Sequence, residues 1–240
     1  MRLWLALGAL CATLAIAAAI GLGAWNPWAV KYVHGADVSR HQGAIDWRAL
    51  AKTDVRFVYI KASEGGDHRD PAFAANWRGA GEAGLYRGAY HFFTLCRAAE
   101  AQAANFLAAA PREAGALPPA VDVEQKHACR QGPTIADPAG EVRRFLDLVE
   151  QRTGARPIVY TTREFHDAHL DGALAGERFW LRALFAEPDF RQKDWVIWQF
   201  HHNARRAGVQ GPLDLNAFRG DEKALAAFAG RPRAAVGAGS

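Results

Sequence analysis

The chain has 240 residues, half of them hydrophobic and 22% charged, a balance that excludes a disordered or fibrous protein. Its formal net charge of +4 invites a polyanionic partner, yet the excess is carried by Arg2, Lys31, Arg231 and Arg233, in two ends that hold no acid. Residues 33–230 are formally neutral, so nucleic acid is not expected as a partner.

Behind Met1 and Arg2, residues 3–25 are uncharged and almost wholly apolar. As a helix they would extend ~34 Å, enough to cross a hydrocarbon core ~30 Å thick. No polar face exists to meet water, which argues against a buried helix of a globular domain. Residues 1–32 are therefore expected to be a signal-anchor or signal peptide with a short linker. The anchor is favoured, because the apolar run is long for a cleaved signal and Ala17-Ala18-Ala19 is a loose cleavage site. With Arg2 inside, the rest is exported: membrane-anchored by one N-terminal helix, or secreted or periplasmic if cleaved. Cys11 follows Leu10 rather than the small residue that lipid attachment requires. Cys96 and Cys129 then form an even pair in an exported chain, where a disulfide is preferred to two thiols. Neither belongs to a CxxC that would suggest zinc.

From residue 33 the pattern alternates. Strands are expected at residues 34–38, 57–62, 85–93, 120–124, 157–161, 179–184, 196–200 and 212–215, and helices at 47–52, 71–83, 98–110 and 138–153. The gaps between the last three strands are too short or too polar for full crossover helices. Repeated βα units argue for a parallel sheet, and eight strands for an α/β barrel closed on itself. Residues 33–230 are few for a complete eightfold barrel, which typically takes about 250; missing late helices account for the deficit. Residues 231–240, rich in Ala and Gly, read as a flexible tail.

In such a barrel, chemistry collects at the carboxyl ends of the strands. Read by that rule, the strand ends offer Asp37, Glu64, His91, Asp122, Glu124, Tyr160, Trp180, Arg182, Gln199, Asp214 and Asn216. In Val121-Asp122-Val123-Glu124 the two acids are two apart and share one face of a strand. Their repulsion raises the proton affinity of one, which makes it a candidate general acid. A solvated edge strand ending in a turn is the plain alternative.

The ordered set His34-Gly35-Ala36-Asp37-Val38-Ser39, Ile45-Asp46-Trp47, Phe57 through Gly65, Gly88-Ala89-Tyr90-His91-Phe92-Phe93, Asp122-Val123-Glu124, Ile158-Val159-Tyr160-Thr161, Trp198-Gln199 and Asp214-Leu215-Asn216-Ala217-Phe218 resembles the lysozymes of glycoside hydrolase family 25. The matches run in order over essentially all of residues 33–218. The resemblance implies an irregular TIM-like barrel in a single domain after the N-terminal apolar helix, five βα units followed by three strands. It implies hydrolysis of the β-1,4 bond between N-acetylmuramic acid and N-acetylglucosamine in peptidoglycan, with no metal or organic cofactor. By motif, Glu124 is the proton donor, Asp122 orients or charge-stabilises the substrate's N-acetyl group, and Asp37 and Asp214 tune the pair and hold the sugar. Tyr160, Trp180 and Gln199 contact sugar or position the acid, with rim packing as the alternative for Trp180 and Gln199. A substrate-assisted route, in which the acetamido oxygen attacks, suits this spacing better than inversion.

One segment departs from the family's usual Trp, Ala and aromatic: Trp180-Leu181-Arg182-Ala183-Leu184-Phe185. Arg182 could pair with a carboxylate or with the muramyl lactate. Cys96 and Cys129 lie just beyond the third and fourth strands, where a bond would brace the loops around Glu124. A muramidase is expected to work as a monomer on glycan strands. A binding module that has lost turnover, or a hydrolase of a related glycan such as chitin, are the rival readings; binding alone would not require an acid cluster.

Other signals carry less. Gly79 to Gly84 matches GxGxxG literally but ends a helix and enters a strand, the reverse of a dinucleotide site. His201-His202 has no third metal ligand at a suitable spacing and reads as solvated loop. No GxSxG, HExxH or Walker-type loop occurs.

Overall fold

Side-chain alternation sorts the strands onto two faces of a single sheet, and that sheet closes. The computed structural model describes residues 29–124, 129, 134–184 and 186–230. The apolar run 3–25, Cys11 and the tail 231–240 lie outside the described residues. Among the described residues no helix is long and apolar enough to cross a membrane.

In chain order the elements are β1 (Val33–Val38), α1 (Trp47–Ala51), β2 (Val55–Glu64), β3 (His68–Arg69), α2 (Phe73–Glu82), β4 (Tyr86–Phe92), α3 (Ala99–Ala109), β5 (Ala120–Val123), α4 (Pro138–Thr153), β6 (Ile158–Thr162), α5 (Arg163–Phe165), β7 (Phe179–Arg182), β8 (Trp195–Ala204), β9 (Leu213–Phe218) and α6 (Glu222–Phe228). The barrel order is β1-β9-β8-β7-β6-β5-β4-β2, closed by β1 on β2, with β3 folded back on the end of β2. Pairs from β1–β2 to β7–β8 are parallel. Strand β9 alone in the barrel runs against both neighbours, β8 and β1.

The eight barrel strands and four crossover helices occupy the expected stretches, and the segment between β7 and β8 contains no helix among its described residues. Local chemistry explains the agreement. Helix α4 begins at Pro138 behind Asp137, whose carboxylate accepts from Gly140 N at 2.9 Å, and stops at Gly154 in the left-handed region (φ 74°). Helix α3 has no side-chain cap of its own; Glu141 of α4 accepts from Ala99 N at 2.7 Å instead. Gly84 (φ 80°) turns the chain from α2 into β4, so the literal GxGxxG is a helix end.

The elements that were not expected depend on distant partners. The β3 flap is held by Asn105 of α3, whose Nδ2 donates to the carbonyls of Glu64, Gly65 and His68. Helix α6, capped by Asp221, buries Leu225 against an inner apolar layer that includes Phe57, Ala120, Ile158, Ile197 and Phe218, and so floors the barrel. An outer layer, with Val58, Ile60, Val121, Val123 and Val159 facing Phe106, Val142, Phe145 and Val149, joins sheet to helices. Cys96 and Cys129 are bonded, with their Cα atoms 5.4 Å apart, and tie the loop after β4 to the one after β5.

Two glycines admit the inner layer. A Cβ at Gly35 would stand 2.4 Å from the Phe57 ring, and one at Gly88 2.4 Å from the Tyr59 ring. Gly88→Ala should therefore cost about 1–3 kcal/mol, the usual penalty for overpacking, read as a lowered thermal midpoint. Gly211→Ala, with nothing within 4 Å, should leave the midpoint in place; equal midpoints for both variants would refute the packing argument.

Candidate active site

Along the barrel strands, β4 excepted, the inward positions change from apolar at the floor to polar at the mouth. Gly35 is followed by Asp37, Phe57 and Tyr59 by Lys61, Tyr90 by Phe92, Ala120 by Asp122, Ile158 by Tyr160, Trp180 by Arg182 and Ile197 by Gln199. On the reversed β9 the order is inverted, and Asp214 and Asn216 precede Phe218. The mouth is a cleft of about 460 Å³, lined among others by Asp37, Asp122, Glu124, Asp214, Tyr160 and Arg182.

A continuous hydrogen-bond path underlies the acids. Asp37 Oδ2 accepts from Asn216 Nδ2 at 2.8 Å and from Gln199 Nε2 at 3.0 Å. With its NH2 turned to a carboxylate, each amide presents its oxygen the other way: Gln199 Oε1 accepts from Tyr160 OH at 2.9 Å, and Asn216 Oδ1 from Trp180 Nε1 at 2.8 Å. Tyr160 OH also stands 3.4 Å from Glu124 Oε2. Side chains from four strands, β6 to β9, thus position one carboxylate, and the same tyrosine reaches Glu124.

Burial dominates the electrostatics. It pushes the Asp37 carboxyl up to about 6, opposed by the donors from Asn216 and Gln199 and reinforced by the charge of Glu124. Burial, then the Asp37 charge, raises Asp214 to about 8, while Arg182 pulls it down. Burial, then Glu124 and Asp37, drives Asp122 well above the usual carboxylate range, with Lys61 in opposition. Burial keeps the Tyr160 phenol protonated and therefore a donor. Asp37 and Asp214 are paired across β1 and β9, and the Asp37 charge strengthens the hold of Asp214 on its proton. Asp122 Oδ1 is buried without a hydrogen-bond partner among the described residues, an acceptor left open toward the cleft.

Of the residues expected from the sequence, Asp37, Asp122, Glu124, Asp214, Tyr160, Trp180, Arg182 and Gln199 line the cleft. Asn216 lies beneath it, wholly buried, holding Asp37 and Trp180. His91 is placed elsewhere: it shares the outward parity of Ala89 and Phe93 and stacks on Phe145 at 5.1 Å. Its Nδ1 meets Ser63 Oγ at 2.8 Å and its Nε2 meets Gln102 at 3.3 Å, and burial pulls it down to about 4. Glu64 is set back from the cleft lining and holds Lys61 Nζ at 2.6 Å. Asp214 reaches the mouth from the amino end of β9, not from a carboxyl end as the placement rule supposed. His201 and His202 belong to β8 rather than a loop, with His202 exposed at the cleft rim. Among the described residues no group of three or more His, Cys, Asp or Glu could hold a metal ion. Lys61, Tyr90 and Phe92 were missed, although counting in twos from Phe57 or Gly88 puts them on the inner face.

A mostly parallel barrel with acids gathered at one mouth is an architecture able to hold the paired carboxylates of a glycoside hydrolase. The profile described as Glycosyl hydrolases family 25 matches residues 36–209, and the chain belongs to that family. It is 35% identical over 202 residues to the uncharacterized protein YegX of Escherichia coli (strain K12), covering 82% of this chain and 73% of that one. Lysozyme M1 of Streptomyces globisporus is 30% identical over 211 residues, covering 82% and 71%. A solved structure of a family 25 glycosyl hydrolase from Bacillus anthracis superposes with a TM-score of 0.76 at 30% identity, over 83% of this chain and 95% of that one.

The folded chain holds the Asp214 proton up to about pH 8, whereas an unfolded aspartate releases it near pH 4. Folding takes up a proton in that window, so this group lowers stability as pH rises through it. Asp214→Asn removes the dependence. Its thermal midpoint relative to the parent should climb from pH 4 to pH 8 and level off above, as calorimetry over pH 4–9 would read; a flat difference would contradict the assignment.

Proposed function

We propose that this protein is a lysozyme that hydrolyses the β-1,4 bond between N-acetylmuramic acid and N-acetylglucosamine in peptidoglycan. The observation that carries the reading is the pairing of Glu124 at the cleft with Asp122, buried behind it with an unpaired oxygen. Acid catalysis requires the proton on Glu124 and the charge on Asp122, a charge that burial and the neighbouring carboxylates oppose. Lys61 favours that charge.

In this reading Glu124 donates its proton to the glycosidic oxygen as the bond to the anomeric carbon breaks. Asp122 accepts the acetamido N–H, which turns the acetamido oxygen toward the anomeric carbon to form an oxazolinium. Glu124, now ionised, takes a proton from the water that opens this intermediate, and the enzyme returns to its starting state. Tyr160 steadies Glu124, and Asp37 with Asp214 holds the sugar. The Cys96–Cys129 bond braces the segments flanking Glu124. The enzyme acts as a monomer outside the cytoplasm, carried there by residues 3–25, which tether it to the membrane.

Intact protein incubated with purified peptidoglycan should release fragments with muramic acid at the new reducing end, identified by mass spectrometry. Glu124→Gln should slow that release by about 10²–10⁴-fold, the usual contribution of a general acid. Reducing-end glucosamine would sink the muramidase assignment, and absence of cleavage by either protein would favour the binding module. Cleavage of chitin at a comparable rate would favour the broader glycan hydrolase.

A further inference from the structure

Two cations face the acid-rich cleft, and they are in different states. Lys61 is engaged: its Nζ is 2.6 Å from Glu64 and lies 4.9 Å over the Phe92 ring. Arg182 ends β7 on the inward side, one inward position beyond Trp180, with its backbone paired beside Thr162 and Gln199. Among the described residues its guanidinium makes no hydrogen bond and has no carboxylate within 4.0 Å. Its charge acts on Asp214 without a hydrogen bond to it among the described residues, and Asp37 is held by two amides instead. Five donors in a rigid fork are thus held at the mouth with no acceptor among the described residues.

The two sugars of peptidoglycan differ at one oxygen. Muramic acid carries a lactyl ether there, and every free carboxylate of the polymer is reached through that arm, either as the lactyl carboxylate itself when the peptide is absent or as a carboxylate of the stem peptide. An acidic cleft repels such a group unless a cation offsets it locally. A guanidinium fork binds a carboxylate bidentately, which selects by geometry as well as by charge.

We infer that Arg182 is a specificity-determining residue that binds a carboxylate on the lactyl arm of the substrate, and so distinguishes muramyl glycan from a neutral polymer of N-acetylglucosamine. This rests on the muramidase reading given above.

The test uses calorimetric titration of the full chain carrying Glu124→Gln, so that ligands survive, with and without Arg182→Ala. Three tetrasaccharides of alternating glucosamine and muramic acid serve as probes: one with free lactyl carboxylates, one with those groups converted to primary amides, and one bearing stem peptides. Arg182→Ala should weaken binding of a carboxylate-bearing probe by roughly tenfold to a hundredfold, the range for a charged hydrogen bond, and leave the amidated probe within about twofold. Arg182→Lys should restore part of the loss, since it returns the charge without the fork. Loss on the peptide-free probe identifies the lactyl carboxylate as the partner; loss confined to the peptide-bearing probe identifies the stem. Equal losses on carboxylate and amide probes, or none on any, would overturn the inference and assign Arg182 to tuning Asp214 alone. If the parent carrying Glu124→Gln binds no probe at all, the muramidase reading fails first. Matched thermal midpoints guard against a folding defect.

Discussion

Several carboxyl groups are withdrawn from water at the mouth of one barrel, and most of the structure answers to that cost. Each of Asp37, Asp122 and Asp214 is pushed upward first by burial and only then by its neighbours. Side-chain amides relieve Asp37, and a retained proton relieves Asp214. Among the described residues the acid least provided for is Asp122, whose unpartnered oxygen matches the acetamido N–H of the proposed substrate. Burial of these groups depends in turn on the layers below them. Phe57 and Tyr59 fit only because Gly35 and Gly88 lack a Cβ, and α6 seals the floor with Leu225.

This arrangement separates residues that carry charge from residues that place it. Asn216 and Gln199 bear no charge, yet they fix which oxygen of Asp37 is engaged and which way Tyr160 points. Glu64 stands back from the cleft and steadies Lys61, whose field favours ionised Asp122. His91 belongs to the scaffold: neutral and buried, it links β2, β4 and α3 through Ser63 and Gln102. Although it lies near a strand end, parity along β4 turns it toward the helices.

Much of the site was legible because strand chemistry is local. Period-two alternation puts Asp122 and Glu124 on one side and the valines between them on the other, whatever the rest of the chain does. Turn and cap residues such as Asp137, Pro138 and Gly154 bound α4 by the conformations they allow. The Cys96–Cys129 bond followed from parity of count in a chain expected to be exported, with its bracing of the loops implied by the barrel. What escaped were features made by contact: the β3 flap, which needs Asn105 from a helix far along the chain, and α6, whose one fully buried residue, Leu225, finds its partners on the barrel floor.

By itself the sequence determined where the strands and main helices lie, which acids share a face, and that the formal charge excess sits at the two ends rather than in the cleft. Only the tertiary structure decided the direction of β9, and with it the meeting of Asp214 and Asp37 across an antiparallel register. It also decided that Arg182 stands without an acceptor among the described residues while Lys61 holds Glu64. The reason is physical: alternation is a property of neighbouring residues, whereas strand direction, closure and the pairing of charges depend on what the distant chain brings alongside.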